Sequence, residues 1–258
     1  MTQPLYDSFA FVYDLQHRTF LDDVPMYVQL ARQHAAQGAI LELGAGTGRV
    51  MTPLVEQGFR VVGVDESAEM LALAEAHLRQ SPRAPAARWS LAHADARALH
   101  LDERFSMAFI ALNTFLHCAT REDQLATLAS ARRHLPAGGV LIVDLPPNDE
   151  LMFQPDDGEF QFEASMVDPA TQTQYNKYVA SRIAWAAQEQ ALTYRIERRQ
   201  GSEMAQQIVS FRLRHVFKHE MELLLLGSGF AAPAWLGNYD LSSYSEGSPR
   251  MIAIAQAI

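Results

Sequence analysis

One cysteine, Cys118, is all that the 258 residues contain, so neither an internal disulfide nor a cysteine zinc cluster can form. Long apolar runs are missing as well. The longest aliphatic stretch, Leu223 to Leu226, is far short of the ~20 residues that cross a bilayer. The opening "MTQPLYDSFAF" has no basic segment followed by an apolar one, so a cytoplasmic protein without membrane contact is expected. Positive charge is in deficit: 21 basic residues against 30 acidic ones give a net charge of -9, which offers no broad basic face to a phosphate backbone, and no nucleic-acid partner is expected. Internal repeats and low-complexity tracts are also absent. What remains, 48% hydrophobic and 20% charged, is the composition of a globular chain with a real core.

Short apolar runs recur at Ile40 to Leu43, Val61 to Val64, Met107 to Leu112 and Val140 to Val143, with a weaker one at Arg88 to Ala94. Between them Met51 to Gln57, Ala68 to Arg79 and Asp123 to Leu135 carry apolar residues at helical spacing, and Ser67 can cap the second of these. Strands so apolar require cover on both faces, which predicts an α/β fold: a doubly wound, mostly parallel sheet of about seven strands. After Asp144 the pattern changes to single alternation. Leu192, Tyr194 and Ile196 oppose Arg195 and Glu197, and Val209, Phe211 and Leu213 oppose Arg212 and Arg214, which predicts a one-sided antiparallel β lid inserted at 146–217. The core is then 1–145 together with 218–258, including a helix over Lys218 to Leu226 and a closing strand in "RMIAIAQAI".

The stretch "ILELGAGTGRV" ends a strand in a glycine turn and opens a helix, which aims backbone N–H groups at one spot. Gly44, Gly46 and Gly48 read G-x-G-x-G, with Arg49 where a dinucleotide-binding turn needs a small residue, so a nicotinamide or flavin is disfavoured. Glu42 stands in a strand built to be buried, where an unpaired carboxylate is costly. Asp65 and Asp95 end the next two strands. Three acids at one sheet edge fit a ligand with a cationic amine, a ribose and an adenine better than a pyrophosphate.

In order and spacing, "ILELGAGTGRV", "VVGVDESAEML", "AHADARAL", "FIALNTFLHC" and "LPAGGVLIVDL" resemble the motifs of class I S-adenosylmethionine-dependent methyltransferases. The resemblance implies S-adenosylmethionine as cofactor. Its methionine part would lie on the loop from Gly44 through Ala45 and Gly46 to Gly48, its amino group on Glu42, its ribose on Asp65, and its adenine on Asp95 and the Ala96 backbone. Glu66 and Met70 would flank the ring, and Asn113, in the fourth motif, and Tyr13 would add to the cofactor site. A narrower resemblance joins "LYDSFAFVYDL", the histidine of "LNTFLHC", the strand-rich insert and "EGSPRMIAIA" to small-molecule N-methyltransferases of the amino-sugar type. It implies that Tyr6 and His117 stand at the methyl-transfer site and that Arg182 and Arg250 grip an anionic acceptor. Tyr6 and Tyr13, seven apart, would share one face of a helix. Asp144, Asn148 and Asp149 could offer oxygen ligands, but their proline-rich context reads as a loop and no metal is expected. The favoured reaction is methyl transfer to a small-molecule amine; O-methylation, or a SAM-binding regulator without activity, are the alternatives. A homodimer is left open.

Overall fold

The computed structural model describes residues 5–147 and 149–258; Asn148, weighed above as an oxygen ligand, lies outside the described residues. A 3₁₀ turn, Leu5–Ser8, and two helices, α1 (Ala10–His17) and α2 (Val24–His34), precede an alternation of strand and helix: β1 (Ala39–Leu43), α3 (Met51–Glu56), β2 (Arg60–Asp65), α4 (Ala68–Gln80), β3 (Trp89–His93), β4 (Met107–Ile110), α5 (Arg121–Arg133) and β5 (Val140–Leu145). A short helix, α6 (Glu150–Phe153), leads into four strands, β6 (Gln161–Val167), β7 (Gln174–Ala184), β8 (Glu189–Gln200) and β9 (Glu203–Arg214). Helix α7 (Lys218–Gly227) and strands β10 (Ala234–Leu236) and β11 (Met251–Gln256) complete the chain.

Among the described residues the first sheet has seven strands in the order β10-β11-β5-β4-β1-β2-β3, with β1 parallel to both β2 and β4 and β11 antiparallel to β5. β4 and β5 are buried along their whole length because helices cover both faces. The strand order reverses between β1 and β4, which opens a crevice outside their C-terminal ends. Local chemistry fixes the helices beside it. Ser67 accepts the Met70 N–H at 3.1 Å and Thr120 accepts the Asp123 N–H at 3.0 Å, caps worth about 1 kcal/mol each. Gly63, in β2, leaves no room for a side chain: a Cβ there would lie 2.8 Å from Met51 Sδ and 2.9 Å from Ala45 Cβ, so α3 and the glycine loop press directly on the strand.

The second sheet is an antiparallel meander, β6-β7-β8-β9. Its Met166, Ile196 and Val209 pack not on the main core but on Phe9, Val12 and Leu15 of the N-terminal segment. Lys177 locks that junction: it is buried, 3.0 Å from Glu163, donates to Gln16 Oε1 at 3.1 Å, and stands 3.7 Å over the Tyr194 ring. The spacing of Tyr6 and Tyr13 suggested one continuous helix. Instead the chain breaks at Phe9 (φ -140°, ψ 19°), and the two tyrosines come from separate segments, their rings still 5.5 Å apart edge to face. Helix α2 has no counterpart in the sequence reading. No helix among the described residues is long and apolar enough to cross a membrane.

Candidate active site

Two adjoining cavities, of about 190 and about 320 Å³, occupy the crevice at the C-terminal ends of β1, β2 and β4, and share Tyr6, Gly44, Asp65, Thr114, His117 and Phe211 in their walls. The first extends toward Tyr13, Met70 and Asn113 under Tyr194 of the lid; the second extends toward Glu66, Asp95 and Ala96. Their common wall carries the closest functional contact: the Tyr6 hydroxyl is 2.8 Å from His117 Nε2. Burial holds the His117 imidazole neutral, its pKa down to about 4, and pushes the Tyr6 phenol well up, with Tyr13 and Tyr194 adding to the shift. Phe211, from β9, lies 5.6 Å from the His117 ring and completes the enclosure.

The glycine loop is shaped for close approach. Gly44 (φ 74°) and Gly46 (φ 53°) adopt the left-handed backbone that glycine alone takes freely, and a Cβ on Gly44 would strike Thr114 Cγ2 at 2.3 Å. Asp65 braces this loop by accepting the Gly46 N–H at 2.8 Å and the Ser67 N–H at 2.9 Å. Burial raises its pKa and these N–H groups oppose the rise. Beneath the loop, Ala45, Gly46 and Glu42 line a small cleft with Tyr13. The Glu42 carboxylate is buried, and its Oε2 has no hydrogen-bond partner among the described residues. Burial drives its pKa well up, against the pull of Arg49. Arg49 itself is spent on a bidentate pair with buried Asp23, at 2.6 and 2.7 Å, so Glu42 keeps a backbone hydrogen bond from Met51 and no salt bridge to Arg49. Gly48 turns the loop into α3 at φ 77° with Ala74 against it.

These residues fit S-adenosylmethionine. A buried carboxylate with one oxygen unpartnered would meet a cationic amine, two left-handed glycines leave a cradle free of side chains, and Asp65 has lone pairs to spare for a diol.

Several residues stand differently from their sequence-based roles. Asp95 lines the second cavity, yet its carboxylate accepts from Arg97 Nε at 2.9 Å, and Arg97 also reaches Asp123 at 3.1 Å. Arg182 and Arg250 do not line either cavity. Arg182 is exposed on β7 and donates to the Asp156 carbonyl at 3.3 Å; Arg250 is held 2.7 Å from Asp144 and donates to Asn113 Oδ1 at 2.7 Å. The lid arginine at a wall of these cavities is Arg212 of β9. His17, which lines the first cavity stacked 4.4 Å from Tyr13, was also unforeseen, since nothing local marks it. Cys118 bonds Thr127 rather than His117, and burial pushes its thiol up to about 11. Among the described residues no group of three or more His, Cys, Asp or Glu gathers as a metal site requires.

Residues 40–139 match the model of a methyltransferase domain. A glycine/sarcosine N-methyltransferase of Aphanothece halophytica is 32% identical over 120 residues, which covers 46% of this chain and 43% of that protein. A dTDP-3-amino-3,6-dideoxy-alpha-D-glucopyranose N,N-dimethyltransferase of Streptomyces fradiae is 29% identical over 140 residues, 52% of each. The chain thus spans about half the length of the curated relatives it matches. The CcbJ methyltransferase from Streptomyces caelestis shares the fold over 99% of this chain and 98% of its own, with a TM-score of 0.81 at 22% identity. Sheet order and glycine loop agree with the domain match: residues 40–139 are similar to a methyltransferase domain, and the chain has the fold of S-adenosylmethionine-dependent methyltransferases.

Proposed function

We propose that the protein transfers a methyl group from S-adenosylmethionine to an amine on a small anionic molecule. The observation that carries this reading is the Tyr6–His117 contact of 2.8 Å in the wall common to both cavities. The cofactor supplies a methyl group on a sulfonium. The protein aligns the acceptor in line with it and excludes water, because a displacement that neutralises charge needs little else. The 2.8 Å contact uses His117 Nε2, so the imidazole fixes the Tyr6 hydroxyl, whose oxygen keeps a lone pair that can accept an amine N–H and turn the amine's lone pair toward the methyl. Attack by the amine would form the C–N bond as the cofactor's S–C bond broke, and the resulting ammonium would give its proton to water once the product leaves the site. With a pKa of about 4, His117 is a weak base. That favours nitrogen, which attacks through a free lone pair, over a hydroxyl, which must lose its proton during attack. The relatives named for glycine, sarcosine and a dTDP-linked amino sugar also support an amine.

An anionic acceptor is supported by the lid. Its strand β9 places Arg212 in the wall of the second cavity, 3.3 Å from Glu189, where a guanidinium can take a carboxylate or phosphate. The test is a panel of small amines and matched alcohols with S-adenosylmethionine, read by formation of S-adenosylhomocysteine. Turnover with amines that falls about a hundredfold in His117→Ala, at nearly unchanged cofactor affinity, supports the role given to His117. Turnover with alcohols alone overturns the amine. A preference for acids over their neutral amides that disappears in Arg212→Ala supports the anion.

A further inference from the structure

Behind the cavity wall, a buried charge network holds a strained turn. Strand β4 ends at Ile110, and Leu112 (φ 45°) and Asn113 (φ 64°) then follow in the left-handed region, two successive residues with side chains where such backbone is disfavoured. The 3₁₀ turn that starts next, Thr114–His117, carries His117. Asp144, fully buried at the end of β5, grips this segment at several points. Its Oδ2 accepts the Leu112 N–H at 3.2 Å, its backbone carbonyl accepts the Asn113 N–H at 3.2 Å, and the Tyr239 hydroxyl donates to Oδ2 at 3.2 Å. Arg250 closes the ring by donating from Nε to Asp144 Oδ1 at 2.8 Å and from Nη2 to Asn113 Oδ1 at 2.7 Å, with its guanidinium 5.7 Å from the Tyr239 ring.

Asp144, Tyr239 and Arg250 do not line the cavities, whereas Leu112, Asn113 and Thr114 do. A buried ion pair is a poor source of stability in itself, and backbone strain persists only where the surroundings over-determine it. Both occur together directly behind the Tyr6–His117 contact. We infer that Asp144 and Arg250 are positioning residues of the methyl-transfer site, which hold the 112–117 segment in its left-handed turn and thereby set His117 against Tyr6. The same turn places Thr114 against Gly44. This assignment rests on the functional reading above for its meaning, though not for its geometry.

Three variants of the full chain test it. Arg250→Lys keeps a charge opposite Asp144, but an ammonium lacks the planar fork that serves Asp144 and Asn113 at once. Asn113→Gly keeps the left-handed backbone and loses the tether; Asn113→Ala loses both. The expected order of kcat is wild type, then Asn113→Gly, then Asn113→Ala, with Arg250→Lys down about tenfold or more at a cofactor affinity by calorimetry within about threefold of wild type. A readout without turnover is the ring-nitrogen NMR signal of His117, which should move in Arg250→Lys and Asn113→Ala as the Tyr6 contact loosens and be restored in part by Asn113→Gly. An unchanged His117 signal in Arg250→Lys overturns the assignment. So does a parallel loss of rate, cofactor affinity and thermal stability, which would mark a purely structural pair. Because the NMR arm needs no reaction, failure of the wild type to methylate any amine would sink the functional reading separately.

Discussion

Glu42 is caught between fold and ligand. A buried carboxylate with one oxygen unpartnered weakens the empty protein, yet a cationic amine beside it would recover that loss on binding. Glu42→Leu should therefore raise the melting temperature of the free protein and at the same time weaken S-adenosylmethionine binding by roughly 1.5 to 3 kcal/mol, the worth of a hydrogen bond to a charged group. Paired calorimetry and thermal melts check both halves, and a variant that lost stability as well as affinity would contradict the role. His117 yields a pH dependence. Since its pKa is lowered to about 4, the ring stays neutral at every pH above that value, and its protonation cannot produce an inflection near the ordinary histidine value of about 6.5. The rate should instead keep rising with pH until the acceptor amine is itself deprotonated. Acceptors whose amines differ in pKa should shift the profile correspondingly, and a fixed midpoint near 6.5 for all of them would contradict the neutral ring. Chain-local chemistry made Glu42, Asp65 and the three glycines readable in advance, because a carboxylate in an apolar strand and a glycine turn after it are anomalies within one short window. Asp23, His17 and the true partners of Arg250 were not readable: a charged residue shows its charge in the sequence, but not which of many opposite or polar groups the fold brings to it.

Helix α1 is fastened over the glycine loop by α4. His77 of α4 lies with Nδ1 3.0 Å from the Thr47 carbonyl and Nε2 3.4 Å from Asp14 of α1. The Asp14 hydrogen bond raises the His77 pKa, against burial, so folding favours the protonated ring. Stability from this tie is fully present below the unfolded value of about 6.5 and is lost as pH rises through the raised folded value. His77→Gln should accordingly lower the melting temperature by a few degrees at most on the acid side and converge with wild type on the alkaline side, since the ring is partly exposed and screened. A gap that widened with pH would exclude the pair as its source. At this scale the strands and helices of the main sheet were legible, since each follows from apolar periodicity and a cap such as Ser67. The break at Phe9 and the left-handed pair Leu112–Asn113 were not. Both depend on partners outside their own elements, the lid in one case and Asp144 in the other.

The whole molecule divides its site between regions remote in sequence: the glycine loop and acids come from the first half of the sheet, Phe211 from the lid, and Tyr6 from a segment 111 residues away from His117. Fold class was therefore readable from the rhythm of the chain, while assembly of the site came only by resemblance, because no local pattern reports contacts across such separations. The seating of Phe9, Val12 and Leu15 on the lid has a topological outcome. The strands that carry Glu42 and Asp65 pair within the main sheet and this segment does not, so Tyr6 is brought to His117 on a piece joined to the sheet by a tether. A tether supplies its cargo at an effective concentration that is typically millimolar for a short linker. Cutting the chain ahead of α2 should thus weaken cofactor binding and abolish turnover, and returning residues 1–20 as a free peptide should restore both in trans as the peptide approaches that concentration.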